Sequence, residues 1–533
     1  MVGRWSCAQP GPARGKRGRP GPEALELALT HHEGREHMAA KRRARTPRRG
    51  RRRYHSLRRV PQAYPGVYLR LRLAPIIPGI AATIAVGAAA DAQFLPEGAR
   101  QWARARADAM GGAISEEAQK VFFDQPGLDT LVVRSLAHAA RRLASLGRLW
   151  ARAAIAVGRD RDGRLAASLP LVPRRGFDAL MTGMLTVGTA VGVWRGGGVN
   201  TRIIRDSAAD PAMLEPPEGH PEAQIRRAAP PESLADLCAD IDELYWAATT
   251  GAVIKICRVG TGGARRWLVS MVGTESMRFG STHNPADIEV NIRLMLGLDS
   301  AMGVGLVAAL HRAMAADSVP EEQWSSEPVL VCGHSQGGLV ASVLASRDPA
   351  EAGVNVVGIL STGAPNRRVA VRPDVTIVTV AHDQDVVPSM DGSPDRSPDR
   401  RVTVGRTLVR PRKRPLYYAH SSATYTETVR LMERRAAVTP WDRLGKAVAT
   451  LRAMLPAPGE EVRVTHHEIW QDLLEPTAVS TWNTVASLER ADPRAVTYPI
   501  DYEGARPISA TARGIGAAWR ALRNKALRGV KGL

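Results

Sequence analysis

Residues 328–344 read Pro-Val-Leu-Val-Cys-Gly-His-Ser-Gln-Gly-Gly-Leu-Val-Ala-Ser-Val-Leu, and this stretch decides the fold. An apolar run of strand length passes through the pattern G-x-S-x-G, Gly333 to Gly337, into a run of helix-forming residues. A serine on a sharp strand-to-helix turn needs small neighbours that clear the adjacent backbone. The stretch therefore predicts a buried strand, a nucleophilic Ser335 and a helix whose N-terminus faces developing negative charge.

Further apolar runs on both sides of this stretch alternate with helical patterns. A helix over 232–246 and a hairpin of strands 253–259 and 266–272 precede it. Strands at 354–360 and 375–380 follow it. Alternating elements of this kind predict an α/β fold with a mostly parallel sheet that is covered on both faces.

The chain has 533 residues and a net charge of +21, and most of the excess charge lies in its N-terminal tail. Residues 1–72 hold 19 Lys and Arg against 4 Glu, which leaves 54 basic and 48 acidic residues for the other 461. That balance is ordinary for an enzyme. An aromatic content of 5% provides few stacking platforms for single strands, so the composition does not favour nucleic acid as a partner.

Composition divides the chain into five segments. Residues 1–72 form a basic tail that cannot fold alone; it is either an arm for anionic partners or the product of a misplaced start codon. Residues 73–215 show helical spacing, 216–231 are a Pro-rich linker, 232–435 carry the α/β pattern and 436–533 form a C-terminal extension. We therefore expect a helical N-terminal domain ahead of the α/β domain.

Two apolar runs bear on localisation. Residues 74–90 form an uncharged stretch of 17 residues with two prolines. It is nearer to a signal-peptide hydrophobic region than to a bilayer span, and a helix of the next domain explains it equally well. Residues 179–194 predict a buried helix hairpin. The sequence leaves a cytoplasmic and a cell-envelope or secreted location open, and it leaves peripheral membrane contact open too.

The four cysteines lie far apart in the sequence, without a C-x-x-C pair. This spacing indicates neither a disulfide framework nor a zinc site. We interpret Cys7, Cys238, Cys257 and Cys332 as small core residues, and the sequence indicates no metal and no organic cofactor.

The chain resembles the α/β-hydrolase superfamily over roughly 230–430, and more narrowly its lipase-like bacterial serine hydrolases, related to the class of fungal triacylglycerol lipases. The matching motifs are, in chain order, Gly273-Thr274, Asn284-Pro285-Ala286-Asp287 with Asn291, Gly333 to Gly338, Gly363-Ala364-Pro365, Asp385-Val386-Val387-Pro388 and His420. Glu275 departs from the pattern, because related chains often have Gln there, and so does Val272, where many have Pro or Arg. The resemblance implies an α/β-hydrolase domain that cleaves carboxylic esters, lipid esters among them.

A catalytic serine needs a general-base imidazole and a carboxylate that orients it. The strand 375–380 is followed by Asp383 and Asp385, at the edge of a parallel sheet where ligands gather. Asp385 is our choice because its D-V-V-P setting matches the D-x-V-P of the family. Asp383 is then a loop carboxylate or a helix cap.

His420 is the leading candidate for the base, since the superfamily has the chain order serine, acid, histidine. We expect His334 to pack beside the nucleophile, and His382 is too close to the acid in sequence to face it. His466 and His467 fall in the C-terminal extension and are expected at the surface.

The oxyanion hole of this superfamily uses the backbone N–H of the residue after the nucleophile, here Gln336. A second N–H comes from Thr274 or Glu275. The sequence thus predicts a serine hydrolase of carboxylic esters with the triad Ser335, Asp385 and His420. The alternatives are a thioesterase or acyltransferase with the same triad, and a non-catalytic envelope or interaction protein.

The segment 276–300 has two interpretations. It starts polar and ends in apolar residues, so it could cover the site as a lid that opens on a lipid surface. Alternatively, 291–298 is a helix packed against the sheet. The sequence leaves the size of the substrate and the oligomeric state open.

Overall fold

The computed structural model describes residues 28–29, single positions between 79 and 90, 95–156, 175–190, 193–214, 229–247, 249–278, 280–391, 401–409 and 416–474. Cys7, nearly all of the basic tail, most of the 74–90 stretch, most of the Pro-rich linker and the extension beyond residue 474 lie outside the described residues.

A mixed β-sheet forms the centre of the fold. Its strands are β1 (Ala28–Leu29), β2 (Gly196–Asp206), β3 (Ala252–Val259), β4 (Arg266–Met271), β5 (Pro328–His334), β6 (Asn355–Thr362), β7 (Thr376–His382), β8 (Arg401–Arg406) and β9 (Val462–Leu473). They lie in the order β1-β8-β7-β6-β5-β4-β3-β9-β2. The five strands from β4 to β8 run parallel, whereas β3, β9 and β2 pair antiparallel on one side.

Helices flank the sheet and precede it. They are α1 (Glu97–Asp124), α2 (Leu128–Ala156), α3 (Gly176–Ala190), α4 (Leu234–Leu244), α5 (Ile288–Met295), α6 (Ala301–Ala316), α7 (Gln336–Leu344), α8 (Pro349–Ala352), α9 (Ser422–Val438) and α10 (Arg443–Arg452). Short 3₁₀ turns lie at Val387–Asp391 and Leu416–His420. Ser233 begins α4 with a capping box, because its hydroxyl accepts the Asp236 N–H while the Asp236 carboxylate accepts the Ser233 N–H.

The predicted α/β fold with mostly parallel central strands is confirmed. The predicted hairpin is formed by β3 and β4, with Ile254 opposite Met271. In β5 every residue after Pro328 is buried, as expected for a strand with neighbours on both sides and helices on both faces. Cys238, Cys257 and Cys332 are buried free thiols, which confirms the core assignment for these three.

The sheet extends beyond the predicted 232–435 domain at both ends. Strand β2 comes from the predicted helical region and β9 from the predicted C-terminal extension, and β9 lies between β3 and β2. The surface position expected for His466 and His467 is therefore wrong. Both are 0% exposed, since β9 is an inner strand of the sheet and α6 packs on it.

The helix hairpin predicted for 179–194 is also wrong. One helix, α3, spans most of this run, and the chain then leads into β2. Two hydrogen bonds join the residues before β2 to α3. The Val193 N–H donates to the Gly188 carbonyl at 2.8 Å, and the Trp194 indole N–H donates to the Met184 carbonyl at 3.2 Å. Among the described helices, none combines the length and the apolar character needed to cross a membrane.

The segment 276–300 contains α5, and the apolar residues of this helix face the interior. Val290, Ile292 and Leu294 are buried. Asp287 caps the helix by accepting the Val290 N–H at 3.1 Å. These contacts favour the packed helix over the lid.

Candidate active site

The turn between β5 and α7 presents Ser335 at the C-terminal edge of the sheet. Ser335 has φ 52° and ψ −117°, a positive φ that costs a non-glycine residue about 1–3 kcal/mol. Its N–H donates to the Thr362 carbonyl of β6 at 2.8 Å, which holds the strained residue in place. Gly337 is required because a Cβ there would lie 2.6 Å from the Val272 carbonyl oxygen.

Ser335, His420 and Asp385 form a continuous hydrogen-bonded row. The His420 Nδ1 lies 2.8 Å from Asp385 Oδ2, and its Nε2 lies 3.1 Å from Ser335 Oγ. A carboxylate only accepts, so Nδ1 carries the proton and Nε2 is left to accept the serine proton. The structure thus brings the three predicted residues together in the order nucleophile, base, acid.

Asp385 is built to stay ionised. Its side chain is 1% exposed, and it also accepts the Tyr425 hydroxyl at 2.6 Å and the Val387 N–H at 3.0 Å. Burial alone would raise the pKa of this carboxyl, but the His420 imidazole and these hydrogen bonds more than offset burial. The pKa of Asp385 therefore lies below its ordinary value, and the carboxylate can orient the imidazole at neutral pH.

Asp383, the alternative acid, faces a different neighbour. Its carboxylate accepts the Thr407 hydroxyl, and its N–H donates to the Arg406 carbonyl at 3.0 Å. Both contacts tie Asp383 to the strand β8 and the residue after it. The structure therefore places Asp385, and not Asp383, against the base.

His334 lies beside the nucleophile, and its contacts determine its tautomer. Gly273 donates its N–H to the Tyr245 oxygen at 2.6 Å, so the Tyr245 hydroxyl can donate to His334 Nδ1 at 2.7 Å. The other nitrogen, Nε2, then donates to the His420 carbonyl at 2.9 Å. Burial, with the nearby His420, lowers the pKa of His334 to about 3, so its imidazole is neutral.

His382 supports the same loop from the other side. Its Nδ1 donates to the Ala419 carbonyl at 2.7 Å, and its ring stacks on Tyr425 with centroids 3.9 Å apart. Burial lowers the pKa of His382 to about 4. His334 and His382 thus hold two successive carbonyls of the chain that carries His420, and both ring nitrogens of each are bonded to groups other than Ser335.

The loop after β4 carries the two candidates for the second oxyanion donor, the backbone N–H groups of Thr274 and Glu275. Glu275 donates its N–H to the Ala286 carbonyl at 2.8 Å, so that N–H is occupied. No acceptor in the described part of the chain contacts the backbone N–H of Thr274 or of Gln336. Gly273 brings this loop against the nucleophile, because a Cβ there would lie 2.6 Å from the Ser335 Cβ. Of the predicted donors, Thr274 and Gln336 are thus the two whose N–H groups are available.

The segment from Asn284 to Asn291 fixes this loop. Asn291 Nδ2 donates to the Thr274 hydroxyl at 2.8 Å, and the Gln336 side-chain amide donates to the Asp287 carbonyl at 2.8 Å. The start of α5 therefore holds the loop after β4 and the elbow in a fixed relation.

Tyr245 and Tyr425 are site residues that the sequence reasoning missed. Tyr245 directly follows α4, and Tyr425 lies on the buried side of α9. A buried tyrosine hydroxyl needs a hydrogen-bond partner, so a tyrosine at a buried position is the signal that the sequence offers. Burial raises the pKa of Tyr245 well above its ordinary value and keeps its hydroxyl neutral.

The junction of α1 and α2 braces the loops that carry the acid and the base. Val386 packs on a cluster that includes Phe122 and Leu128, and the Ser389 hydroxyl contacts the Asp129 carboxylate. Phe123 lies in a second cluster with the neighbours of His420, namely Leu408, Tyr418 and Ala419. The helices ahead of the sheet thus contribute to the support of the site.

No group of three or more His, Cys, Asp and Glu side chains placed to hold a metal ion occurs within the described ranges. Comparison with protein-family models, with curated proteins and with solved structures found no match to this chain. A functional conclusion therefore depends on the geometry of the site.

Proposed function

We propose that the protein is a serine hydrolase of carboxylic esters on an α/β-hydrolase fold. The observation that carries the proposal is the row Ser335–His420–Asp385, with separations of 3.1 and 2.8 Å, at a strand-to-helix turn with positive φ. The mostly parallel sheet and the position of the row at the carboxyl ends of β5 and β7 support the same conclusion.

In the first half of the reaction, Ser335 Oγ attacks the acyl carbonyl carbon while its proton moves to His420 Nε2. The carbonyl oxygen becomes an oxyanion, which the backbone N–H groups of Gln336 and Thr274 stabilise. Asp385 stabilises the imidazolium through Nδ1–H. The C–O bond to the leaving alcohol then breaks, and the Nε2 proton passes to the alkoxide, which leaves an acyl ester on Ser335.

In the second half, a water molecule takes the place of the alcohol. His420 Nε2 accepts a proton from the water as its oxygen attacks the acyl carbon, and the same N–H groups hold the oxyanion. Collapse releases the carboxylic acid and returns the proton to Ser335 Oγ. No atom outside the substrate, water and these residues is needed for the balance.

Labelling with a fluorophosphonate tests this proposal. An activated serine attacks phosphorus as it attacks a carbonyl carbon, so the wild-type protein should be labelled on Ser335 and should cleave a short p-nitrophenyl ester. Ser335→Ala should take no label and should lose about three to six orders of magnitude in turnover.

Ser342→Ala is the matched control, because Ser342 is a buried serine on α7 whose hydroxyl contacts the Gly338 carbonyl at 2.8 Å. This variant should label as the wild type does. A folded wild-type protein that takes no label and cleaves no short ester would refute the proposal.

A further inference from the structure

The helix α2 carries an apolar stripe that is buried at one end and exposed at the other. At its start, Leu128 and Val132 are buried in the cluster with Phe122. The stripe continues along the same face to Leu143 and Leu146, with Leu149 at its margin. These three leucines are 70%, 62% and 64% exposed.

The polar side of α2 is strongly basic. Between residues 130 and 156 the sequence has five Arg and no Asp or Glu. Arg141, Arg142 and Arg152 are exposed. With 3.6 residues per turn, Arg142 lies beside the leucines, whereas Arg141 and Arg152 lie on the other half of the helix. A helix with exposed leucines on one side and Arg on the other has the composition of helices that lie in the interface of an anionic bilayer.

Described elements hold this helix in place, and none of them covers the stripe. A different side of α2 packs on α3, where a Cβ at Gly176 would lie 3.3 Å from the Arg141 Cβ. Asp129 and Leu128 anchor the start of α2 at the loop after Asp385. The exposed half is therefore presented in a fixed direction, and no described helix is suited to cross the bilayer itself.

The positive charge of α2 indicates which kind of partner can bind its exposed apolar stripe. A second copy of this chain would bring another helix with five Arg and no Asp or Glu between residues 130 and 156 to the contact, so the two helices would repel each other. An anionic lipid surface offers negative charge to the Arg side chains and an apolar layer to the leucines.

We propose that the exposed half of α2 docks the protein on an anionic membrane surface, with Leu143, Leu146 and Leu149 inserted below the headgroups. Because α2 begins against the loop of Asp385, docking holds the candidate active site within about the length of this helix from the lipid surface. The docking does not depend on the proposed function, since it uses none of the triad residues.

Flotation of the full chain with vesicles tests the docking. The probes are vesicles of phosphatidylglycerol with phosphatidylcholine and vesicles of phosphatidylcholine alone. Salt is set at about 0.1 M and about 1 M, between which the screening length falls from about 10 Å to about 3 Å. Binding of the basic tail alone should vanish at the higher salt, whereas insertion of leucines should persist in part.

The decisive variant is the triple substitution Leu143→Glu, Leu146→Glu and Leu149→Glu. Its control is Val304→Glu, Val438→Glu and Trp441→Glu, which adds the same charge at exposed apolar positions on or next to other helices. The first should bind anionic vesicles at least about tenfold more weakly than the wild type, whereas the control should bind within about twofold of it. Unfolding curves with unchanged midpoints show that both variants are folded.

Three results would overturn the docking proposal: equal binding by the two triple variants, loss of all wild-type binding at the higher salt, and a change in oligomeric state caused by the leucine substitutions. Ser335→Ala should float as the wild type does. A wild-type protein that floats normally but shows no turnover would contradict the proposed function and leave the docking intact.

Discussion

Two halves of the sheet bury histidines in different ways. At the carboxyl edge of the parallel half, His334 and His382 contact polar groups through both ring nitrogens. In the antiparallel half, neither ring nitrogen of His466 has a hydrogen-bond partner among the described residues, and His467 contacts only Thr465. Burial lowers the pKa of all four imidazoles.

His420 differs from both pairs, since its side chain is 27% exposed and still contacts a buried carboxylate and the nucleophile. Burial and a shifted pKa therefore do not identify a base. Access for substrate, together with a fixed orientation, does so.

The largest effect on turnover is expected at Asp385, in comparison with Asp383, the other carboxylate in the loop after β7. Asp385→Asn should lower kcat by about ten-thousand-fold, because the imidazole loses the acceptor that fixes its tautomer. Asp383→Asn should keep kcat within about threefold, since Asp383 contacts Thr407 and not His420. Steady-state hydrolysis of a short ester measures both. Equal losses would show that the loop does not distinguish the two acids.

The next prediction compares His420 with His466, a buried histidine in the antiparallel half of the sheet. His420→Ala should reduce kcat by several orders of magnitude, whereas His466→Leu should leave kcat of the folded protein within about threefold. His466 lies in β9, paired with strands on both sides and fully buried. Retained activity without His420 would contradict the assignment of the base.

A smaller effect is expected for the histidine that holds the base in place. His334→Phe removes the donor to the His420 carbonyl and the acceptor of the Tyr245 hydroxyl proton, so kcat should fall by about ten- to hundredfold, as expected for one or two lost hydrogen bonds. KM should change little, and His334→Gln should restore part of the loss. A fall in stability with kcat unchanged would limit His334 to packing.

The hydroxyl of Tyr425 should have the smallest effect on turnover. Tyr425→Phe removes one of the three hydrogen bonds to Asp385, and a single bond to a charged group corresponds to about tenfold in kcat. The ring keeps its stacking on His382, so the unfolding midpoint should move little. An unchanged kcat would show that the other two bonds suffice.

The pH dependence of stability sharpens the comparison without involving turnover. An unfolded His takes up a proton near pH 6.5, whereas folded His334 does so only at about 3 and folded His467 at about 4. The unfolded state thus binds more protons between these values, and the free energy of unfolding falls as pH falls through this window. His467→Gln should reduce the slope by at most about one proton, measured by urea unfolding from about pH 7 to pH 4. If the slope of the unfolding free energy against pH does not change in this variant, a group other than His467 takes up the proton.

The elbow and its elements were predictable from sequence because their signals are local. The apolar run of β5, the glycines around Ser335 and the helix formers of α7 are neighbours in the chain. The strand before Asp385 was predictable for the same reason, because its apolar residues are neighbours in the chain. The choice between Asp383 and Asp385, and between Thr274 and Glu275, required atomic contacts, because each pair lies within two residues and offers the same chemical group.

Sequence alone determined the α/β class, the nucleophile turn and the short list of candidate acids and bases, since the periods of strands and helices and the chemistry of turns are written in adjacent residues. The tertiary structure was needed to show that β9 enters the sheet between β3 and β2 and that His466 and His467 are buried. It also brought Tyr245 and Tyr425 to the site. Strands β2 and β9 come from segments more than 250 residues apart, and their pairing depends on backbone hydrogen bonds that any residue except proline can donate. Such contacts leave no local pattern in the sequence.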